Sequence, residues 1–176
     1  MNNSDRLGQT ESAPTLTRDF TATTFVVHDD RTLLLHHRKL AMWLPPGGHI
    51  DPHELPDQAA LREVREESGL EVELLTRGYV LGHVQVLPQP YCVLLEDIGP
   101  GHQHIDLIYF ARVSGGTLAH AEREARAARW YSWEDLADPV IAEDIRELGR
   151  RAIESYRETG DKERRRQGAK KTRSEK

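Results

Sequence analysis

Three glutamates between Arg62 and Glu67 have a spacing suited to metal chemistry. Glu66 and Glu67 follow Glu63 by three and four residues, so on an α-helix the three carboxylates lie on one face. Like charges at this spacing destabilise a helix by about 0.2–0.5 kcal/mol per pair, which calls for a compensating cation. Oxygen ligands favour Mg²⁺ or Mn²⁺ over zinc, which prefers nitrogen and sulfur.

Glycines flank this acidic stretch on both sides. Gly47 and Gly48 lack a Cβ, so a phosphate or a metal can approach the backbone there. Pro56 suits the start of a helix, and Gly69 suits its left-handed end. Taken alone, the acidic run would indicate a solvated helix face carrying ion pairs. The glycines favour a phosphate or metal site instead.

The stretch from Gly48 to Leu70 matches the pattern G-x5-E-x7-R-E-U-x-E-E-x-G-U, in which U is aliphatic, at every defined position. The matching residues are Gly48, Glu54, Arg62, Glu63, Val64, Glu66, Glu67, Gly69 and Leu70. The chain therefore resembles the Nudix hydrolases, over roughly residues 19–155. The resemblance implies an α/β fold, a Nudix-type α/β/α sandwich with a mixed β-sheet between helices.

The resemblance also implies a reaction, namely Mg²⁺-dependent hydrolysis of a pyrophosphate linkage, with Mn²⁺ as a substitute metal. The substrate would be a nucleoside diphosphate linked to another moiety, or a nucleoside triphosphate. Two alternatives remain open, a non-catalytic Nudix-like nucleotide-binding module and an RNA 5′-end pyrophosphohydrolase. Intact glutamates favour the hydrolase, because a pure binding module gains nothing from keeping them.

Roles for the motif residues follow from the same resemblance. A metal would be held by three carboxylates and one backbone carbonyl, those of Glu63, Glu66, Glu67 and Gly47. Arg62 would orient the glutamates and Glu54 would support the site. The resemblance implies that one of these glutamates, or an acid from a later loop, is the general base, and among them we expect Glu63.

Substrate selectivity is expected to come from outside the motif. A loop from Gly99 leads into a strand whose alternation puts His104 and Asp106 on one side, where they become candidates for substrate contact or extra metal ligation. Trp43 could stack on a base or pack under the loop. Gly48 is a candidate for close contact with substrate phosphate. His49 and His53 could suggest an imidazole metal site, but the acidic face already suits a hard cation.

Charge is distributed unevenly along this chain of 176 residues, whose net charge is −5. Residues 157–176 carry nine basic and four acidic side chains, a net charge of +5, which leaves −10 for residues 1–156. We therefore predict a flexible segment over 1–18, one enzyme domain over 19–157, and a basic, disordered tail over 158–176. Only this tail would favour nucleic acid, which is otherwise not expected as a partner.

The apolar content of the sequence bears on its compartment. No apolar stretch has the length of a signal peptide or a membrane span, which predicts a cytoplasmic protein without membrane partners. The resemblance implies a small-molecule partner, a nucleotide-type substrate. The oligomeric state stays open, with a homodimer as one option. Apolar and β-branched runs predict a hairpin over 20–36, further strands over 71–75, 79–87, 91–95, 104–113 and 130–132, and a helix over 140–157.

Overall fold

The computed structural model describes residues 15–174, with side chains through residue 162. The predicted flexible segment therefore lies largely outside the described residues. Strands β1 (Thr17–His28) and β2 (Arg31–His37) form the predicted hairpin. Its turn residues, Asp29 and Asp30, have φ values of 47° and 58°. Two successive positive φ values are typical of the tight turns that match the twist of a hairpin.

Helix α1 (Pro56–Ser68) carries the acidic motif and has the predicted ends. The two short strands β3 (Trp43–Leu44) and β4 (Gly47–His49) precede it. Pro56 occupies the first turn, and Gly69 ends the helix at φ 70°, donating its N–H to the Arg65 carbonyl. The chain then enters β5 (Leu70–Leu74). The helix is thus held at both ends by the residues that the sequence indicated.

The predicted strand over residues 79–87 is wrong in one respect, because it is two strands. β6 (Tyr79–Leu81) and β7 (Val84–Val86) form a separate hairpin that turns at Gly82, where φ is 61°. Strands β8 (Cys92–Gly99) and β9 (His102–Gly116) then pair through a turn at residues 100–101. This turn is shorter than the loop predicted from Gly99 onward.

The C-terminal part contains more regular structure than the sequence indicated. β10 (Ala125–Ser132) is eight residues long, where only residues 130–132 were predicted as strand. A short 3₁₀ helix (Asp135–Ala137) leads to helix α2 (Glu143–Ser174). α2 continues past its predicted end at Arg157, so it includes backbone that the sequence assigned to the tail.

The strands form a mixed sheet in the order β10-β2-β1-β9-β5, with β3 beside β2, β4 beside β1 and β8 beside β9. β1 and β9 pair in parallel, from Thr17 opposite His102 to Val27 opposite Arg112, and the other pairs are antiparallel. Mixed pairing between helices is the architecture that the predicted fold class requires. Within the described residues, no helix combines the length and apolar content needed to span a membrane.

The two helices cover opposite faces of the sheet. α1 packs on the face that presents Ala22 and Tyr109, whereas α2 packs on the face that presents Phe25 and Ile108. Ala22 and Phe25 lie an odd number of residues apart in β1, so their side chains leave opposite faces. β4 lies against β1 and contacts α1, which brings the glycine pair to the acidic helix.

Candidate active site

Helix α1 brings the three predicted glutamates together beside the glycine pair. Gly47 donates its N–H to Oε2 of Glu67 at 3.1 Å. The Glu63 side chain is nearly buried, with 14% of its surface exposed, whereas about half of Glu66 is exposed. The carboxylates therefore extend from a desolvated interior position to the solvent, which suits a site that must admit a charged ligand.

Gly48 has a direct steric reason to be glycine. A Cβ at this position would lie 2.6 Å from Oε1 of Glu63. A Cβ at Gly47 would meet the backbone of β1, at 2.8 Å from the Thr23 Cα. The loop thus approaches both the glutamates and the sheet more closely than any residue with a side chain could.

Arg62 holds the acidic groups in place. Its Nε and Nη2 donate to the two oxygens of Glu54, each at 2.9 Å, in the bidentate geometry typical of strong arginine–carboxylate pairs. Its Nη1 donates to Glu63 at 2.7 Å, and Nη2 also donates to the His49 carbonyl at 3.0 Å. The hydrogen bond from Arg62 lowers the pKa of Glu54, and the bond to Glu54 raises the pKa of Arg62. Both groups are therefore charged at neutral pH.

Glu63 and Glu67, the two more buried glutamates, have too little positive charge around them to offset the loss of solvent. Burial raises the pKa of Glu67 to about 8, and the Gly47 N–H only partly opposes this shift. Burial also raises the pKa of Glu63, against the hydrogen bond from Arg62. Carboxylates desolvated without a full counter-charge are stabilised by a bound cation. Their oxygen-only donor set fits a hard divalent ion.

Glu124 joins this site, although no motif in the sequence indicates it beyond the general expectation of a later acid. It directly precedes β10 and, together with Gly47 and Glu67, lines a cavity of about 50 Å³. Its charge contributes to the raised pKa values of Glu63 and Glu67. An ion pair with Arg123 at 2.7 Å holds its carboxylate. Because Glu124 is far along the chain from α1, only the fold reveals the contact.

A larger cavity of about 140 Å³ lies between the sheet and α2, and Gly47 forms part of its lining. Asp106 contributes to its wall and is only 4% exposed. Burial raises the pKa of Asp106, while the nearby hydroxyls of Thr23 and Thr21 oppose the shift. Two further acids line the cavity, Glu96 and Asp144. The cavity therefore offers one buried carboxyl group, one half-buried and one exposed, each able to form hydrogen bonds with a ligand.

The other two predicted substrate residues, His104 and Trp43, pack against other rings. His104 is on β9, on the same side of the strand as Asp106, and its ring lies 5.0 Å from that of His49. Trp43 packs edge-to-face on Tyr131, with ring centroids 5.3 Å apart, and also contacts His36. Of the alternatives for Trp43, this arrangement corresponds to packing within the fold.

A family model described as the NUDIX domain matches residues 18–152, a span that contains all of these groups. The chain belongs to the NUDIX family. A NUDIX-family hydrolase structure from Clostridium perfringens superposes with a TM-score of 0.68 at 34% identity, covering 79% of this chain and 98% of that one. The mixed sheet and flanking helices are therefore those of the NUDIX fold, as the sequence predicted.

Two curated NUDIX relatives carry names that concern oxidised nucleotides. The human 8-oxo-dGDP phosphatase NUDT18 is 30% identical over 130 residues, which is 70% of this chain and 35% of that protein. A Mycobacterium tuberculosis protein, provisionally named 8-oxo-dGTP diphosphatase 3, is 48% identical over 113 residues, 60% of this chain and 46% of that protein. The chain thus spans less than half the length of both relatives.

Proposed function

We propose that this NUDIX protein hydrolyses a pyrophosphate linkage in a nucleoside diphosphate derivative or a nucleoside triphosphate, with Mg²⁺ as cofactor. The observation that carries the proposal is the convergence of Glu63, Glu66 and Glu67 beside the glycine pair. The names of the human and mycobacterial relatives support nucleotides as the substrate class. Location in the cytoplasm and assembly as a homodimer stay predictions.

The site residues would have distinct roles in metal binding and positioning. Glu63, Glu66 and Glu67, with the Gly47 carbonyl, would hold a divalent ion that neutralises phosphate charge and lowers the pKa of bound water. Arg62 would keep Glu63 in position through its 2.7 Å hydrogen bond. Mn²⁺ would substitute for Mg²⁺, because both prefer oxygen ligands.

Two groups compete for the role of general base. Glu63 is the sequence-based choice, but its hydrogen bond to Arg62 makes it a poorer proton acceptor. Glu124 lines the same cavity as Glu67, and its ion-pair partner, Arg123, is 75% exposed, so solvent screens this pair more than it screens the pair of Glu63 with Arg62. We therefore place Glu124 beside Glu63 as a candidate base. Substitution of a metal ligand weakens metal binding, whereas substitution of a residue that acts only as general base does not.

The nucleobase would occupy the 140 Å³ cavity between the sheet and α2. Its acids, Asp106, Glu96 and Asp144, can recognise the polar edge of a purine by hydrogen bonds. The relatives named for 8-oxo nucleotides make an 8-oxoguanine base the first ligand to test. His104, Trp43 and Gly48 stay candidates for further substrate contacts.

Phosphate-release assays on purified protein test the hydrolase. The substrates should be nucleoside di- and triphosphates, with and without an 8-oxo group, in Mg²⁺ or Mn²⁺. Glu66→Gln and Glu67→Gln should each lower turnover by at least about 100-fold, because each removes one charge from the metal site. Glu154→Gln, on the exposed side of α2, is the matched control and should keep full turnover. No metal-dependent release from any nucleotide by the unaltered protein would favour the binding-module alternative.

Measurements of Mn²⁺ affinity and kcat distinguish Glu63 from Glu124 as the general base. Removal of a general base lowers kcat by about 10²–10⁴-fold and leaves metal affinity unchanged, whereas removal of a ligand weakens metal binding. We expect Glu124→Gln to lower kcat without changing Mn²⁺ affinity, measured by electron paramagnetic resonance of free Mn²⁺. Glu63→Gln should weaken Mn²⁺ binding. If Glu124→Gln keeps normal kcat, the base is Glu63 or water alone.

The ratio of kcat/KM between two substrates tests whether the 140 Å³ cavity binds the nucleobase. Asp106→Asn should change the ratio of kcat/KM between an 8-oxo nucleotide and its unmodified counterpart more than Glu66→Gln does. Glu66 would hold the metal ion that binds the phosphates common to all substrates, whereas Asp106 would contact the nucleobase, which differs among them. Equal ratios in both variants would exclude this cavity as the base site.

A further inference from the structure

Four side chains outside α1 form a second cluster of metal-ligand types, which we call the histidine cluster. Its members are Asp19 of β1, His49 at the end of β4, and His102 and His104 of β9. In the parallel pairing of β1 and β9, Asp19 is directly opposite His104. The antiparallel pairing of β4 with β1 brings His49 opposite Thr21, two residues from Asp19. Alternation along each strand therefore puts all four side chains on one face of the sheet.

The ligand atoms of this cluster are close enough to share one ion. One atom each of Asp19, His102 and His104 lies within 4.8 Å of the other two. Oδ2 of Asp19 is 3.7 Å from Nε2 of His102 and 3.5 Å from Nε2 of His49. Tetrahedral zinc, with bonds of about 2.0–2.1 Å, keeps its ligand atoms roughly 3.4 Å apart. Small side-chain rotations would therefore complete the geometry.

Thr17 determines which nitrogen of His102 faces the cluster. The Thr17 hydroxyl lies 2.9 Å from Nδ1 of His102. Nε2, on the other side of the ring, therefore faces the Asp19 carboxylate, at 3.7 Å from Oδ2. When the ring is neutral with its proton on Nδ1, Nε2 and the carboxylate present lone pairs to each other, and a cation between them would satisfy both.

His104 lies close to the other two imidazoles. Its ring centroid is 5.0 Å from that of His49 and 5.1 Å from that of His102, edge-to-face in both cases. The contact between Thr17 and His102 is of the kind that commonly orients metal-binding histidines from outside the ligand set.

We propose that Asp19, His102 and His104 form a binding site for Zn²⁺, with His49 beside them. Two imidazoles and a carboxylate suit zinc, whereas the oxygen-only glutamate site suits Mg²⁺. The zinc site lies on the α2 face of the sheet, on the same side of β9 as Asp106. It would connect β1, β4 and β9 at the edge of the cavity. The proposal does not depend on the proposed hydrolase activity.

Zinc binding should be measured on the full chain in a background that disables the glutamate site. The background carries Glu66→Gln and Glu67→Gln, and binding is followed by competition with a chromophoric chelator. Substitution of Co²⁺ for Zn²⁺ reports the coordination number through its visible absorption. We expect one equivalent of Zn²⁺ and the absorption of a four- or five-coordinate site. His102→Ala, His104→Ala and Asp19→Asn should each weaken binding by at least about 10-fold, and Thr17→Val by about 10- to 100-fold.

His28→Ala is the matched control, because His28 also lies on β1 and contacts an aspartate, Asp29, at 3.5 Å. Neither residue belongs to a group of three metal-ligand side chains among the described residues. This control should keep the full affinity for Zn²⁺, and circular dichroism should show that every variant is folded. The proposal is overturned if the background protein binds no Zn²⁺, or if His102→Ala and His104→Ala bind it as tightly as His28→Ala.

Discussion

At the scale of single residues, the two adjacent glycines of β4 have different neighbours. A Cβ at Gly48 would meet the end of the flexible Glu63 side chain, whereas a Cβ at Gly47 would meet the backbone of β1. We predict that Gly48→Ala keeps its melting temperature but loses at least about 10-fold in turnover, because Glu63 must move away. Gly47→Ala should instead unfold at lower temperature.

Calorimetry and nucleotide hydrolysis on both variants check this prediction. Gly99→Ala is the control, since a Cβ there would meet no atom within 4 Å. The steric account fails if Gly48→Ala keeps full turnover, or if the two adjacent variants lose the same stability.

Glu73 should make stability depend on pH in the acidic range. Its carboxylate contacts Arg112 at 2.8 Å and Arg77 at 2.6 Å, and the hydrogen bond from Arg112 is the main cause of its lowered pKa. A pKa lowered by folding stabilises the protein above the ordinary glutamate pKa, and this contribution is lost as pH falls through the folded-state value. Glu73→Gln should therefore be less stable than the unaltered protein at pH 7, and this difference should disappear as the pH falls through the folded-state pKa of Glu73.

Urea unfolding at several pH values measures this difference. Glu154→Gln is the control and should follow the unaltered protein throughout, because its side chain is exposed on α2. The difference in the free energy of unfolding between Glu73→Gln and the unaltered protein could instead stay constant with pH. The packing of the Glu73 side chain, and not its charge, would then stabilise the protein.

The sequence could predict the glutamate site because its residues lie within one helix and the segment before it. On a helix, the spacing of residues along the sequence determines the direction in which their side chains project. Arg62, Glu63 and Glu67 project as the helical period requires. No local rule connects Glu124 to them, or Asp19 to His104. Those contacts depend on strand pairing between distant parts of the chain, which spacing along the sequence does not encode.

At the scale of elements, α2 is held to the sheet by one apolar stripe. Ile153 is fully buried in the core that α2 shares with Phe25 and Phe110. We predict that Ile153→Ala lowers the free energy of unfolding by about 2–5 kcal/mol, since the lost contacts leave a cavity. Val140→Ala, at a position that is 64% exposed, should change it by less than about 0.5 kcal/mol. Urea unfolding of both variants measures this, and equal losses would show that α2 does not dock through this stripe.

Elements with clear end signals were predicted best. Pro56 and Gly69 bound α1 in the structure as in the sequence. The sequence does not predict the β6–β7 hairpin, because Gly82 is the single glycine in a run whose alternation of apolar and polar residues continues beyond it. β10 was underestimated because its first half, Ala125-Arg126-Ala127-Ala128, has helix-forming residues, and pairing with β2 overrides that preference.

At the scale of the whole molecule, the negative domain and the positive end of α2 are distinct. Among the residues of α2 whose side chains are described, which end at 162, the last buried ones are Ala152 and Ile153, and residues 157–162 are exposed or half-buried. We predict that deleting residues 159–176 leaves the melting temperature and hydrolysis of small nucleotides almost unchanged. Binding to a polyanion such as heparin should weaken, most clearly at low salt. A fall of several degrees in melting temperature would show that this segment docks on the domain.

The parallel pairing of β1 with β9 also has a consequence for synthesis on the ribosome. β1 can form its hairpin with β2 early, but its other edge must wait for residues that are about 85 positions later, from Thr17 to His102. At roughly 5–20 residues per second, that interval lasts several seconds. Throughout it, the apolar centre of β1 has an unpaired edge that another nascent chain could occupy. A chaperone that shields extended apolar segments would therefore be most useful to this protein before β9 leaves the exit tunnel.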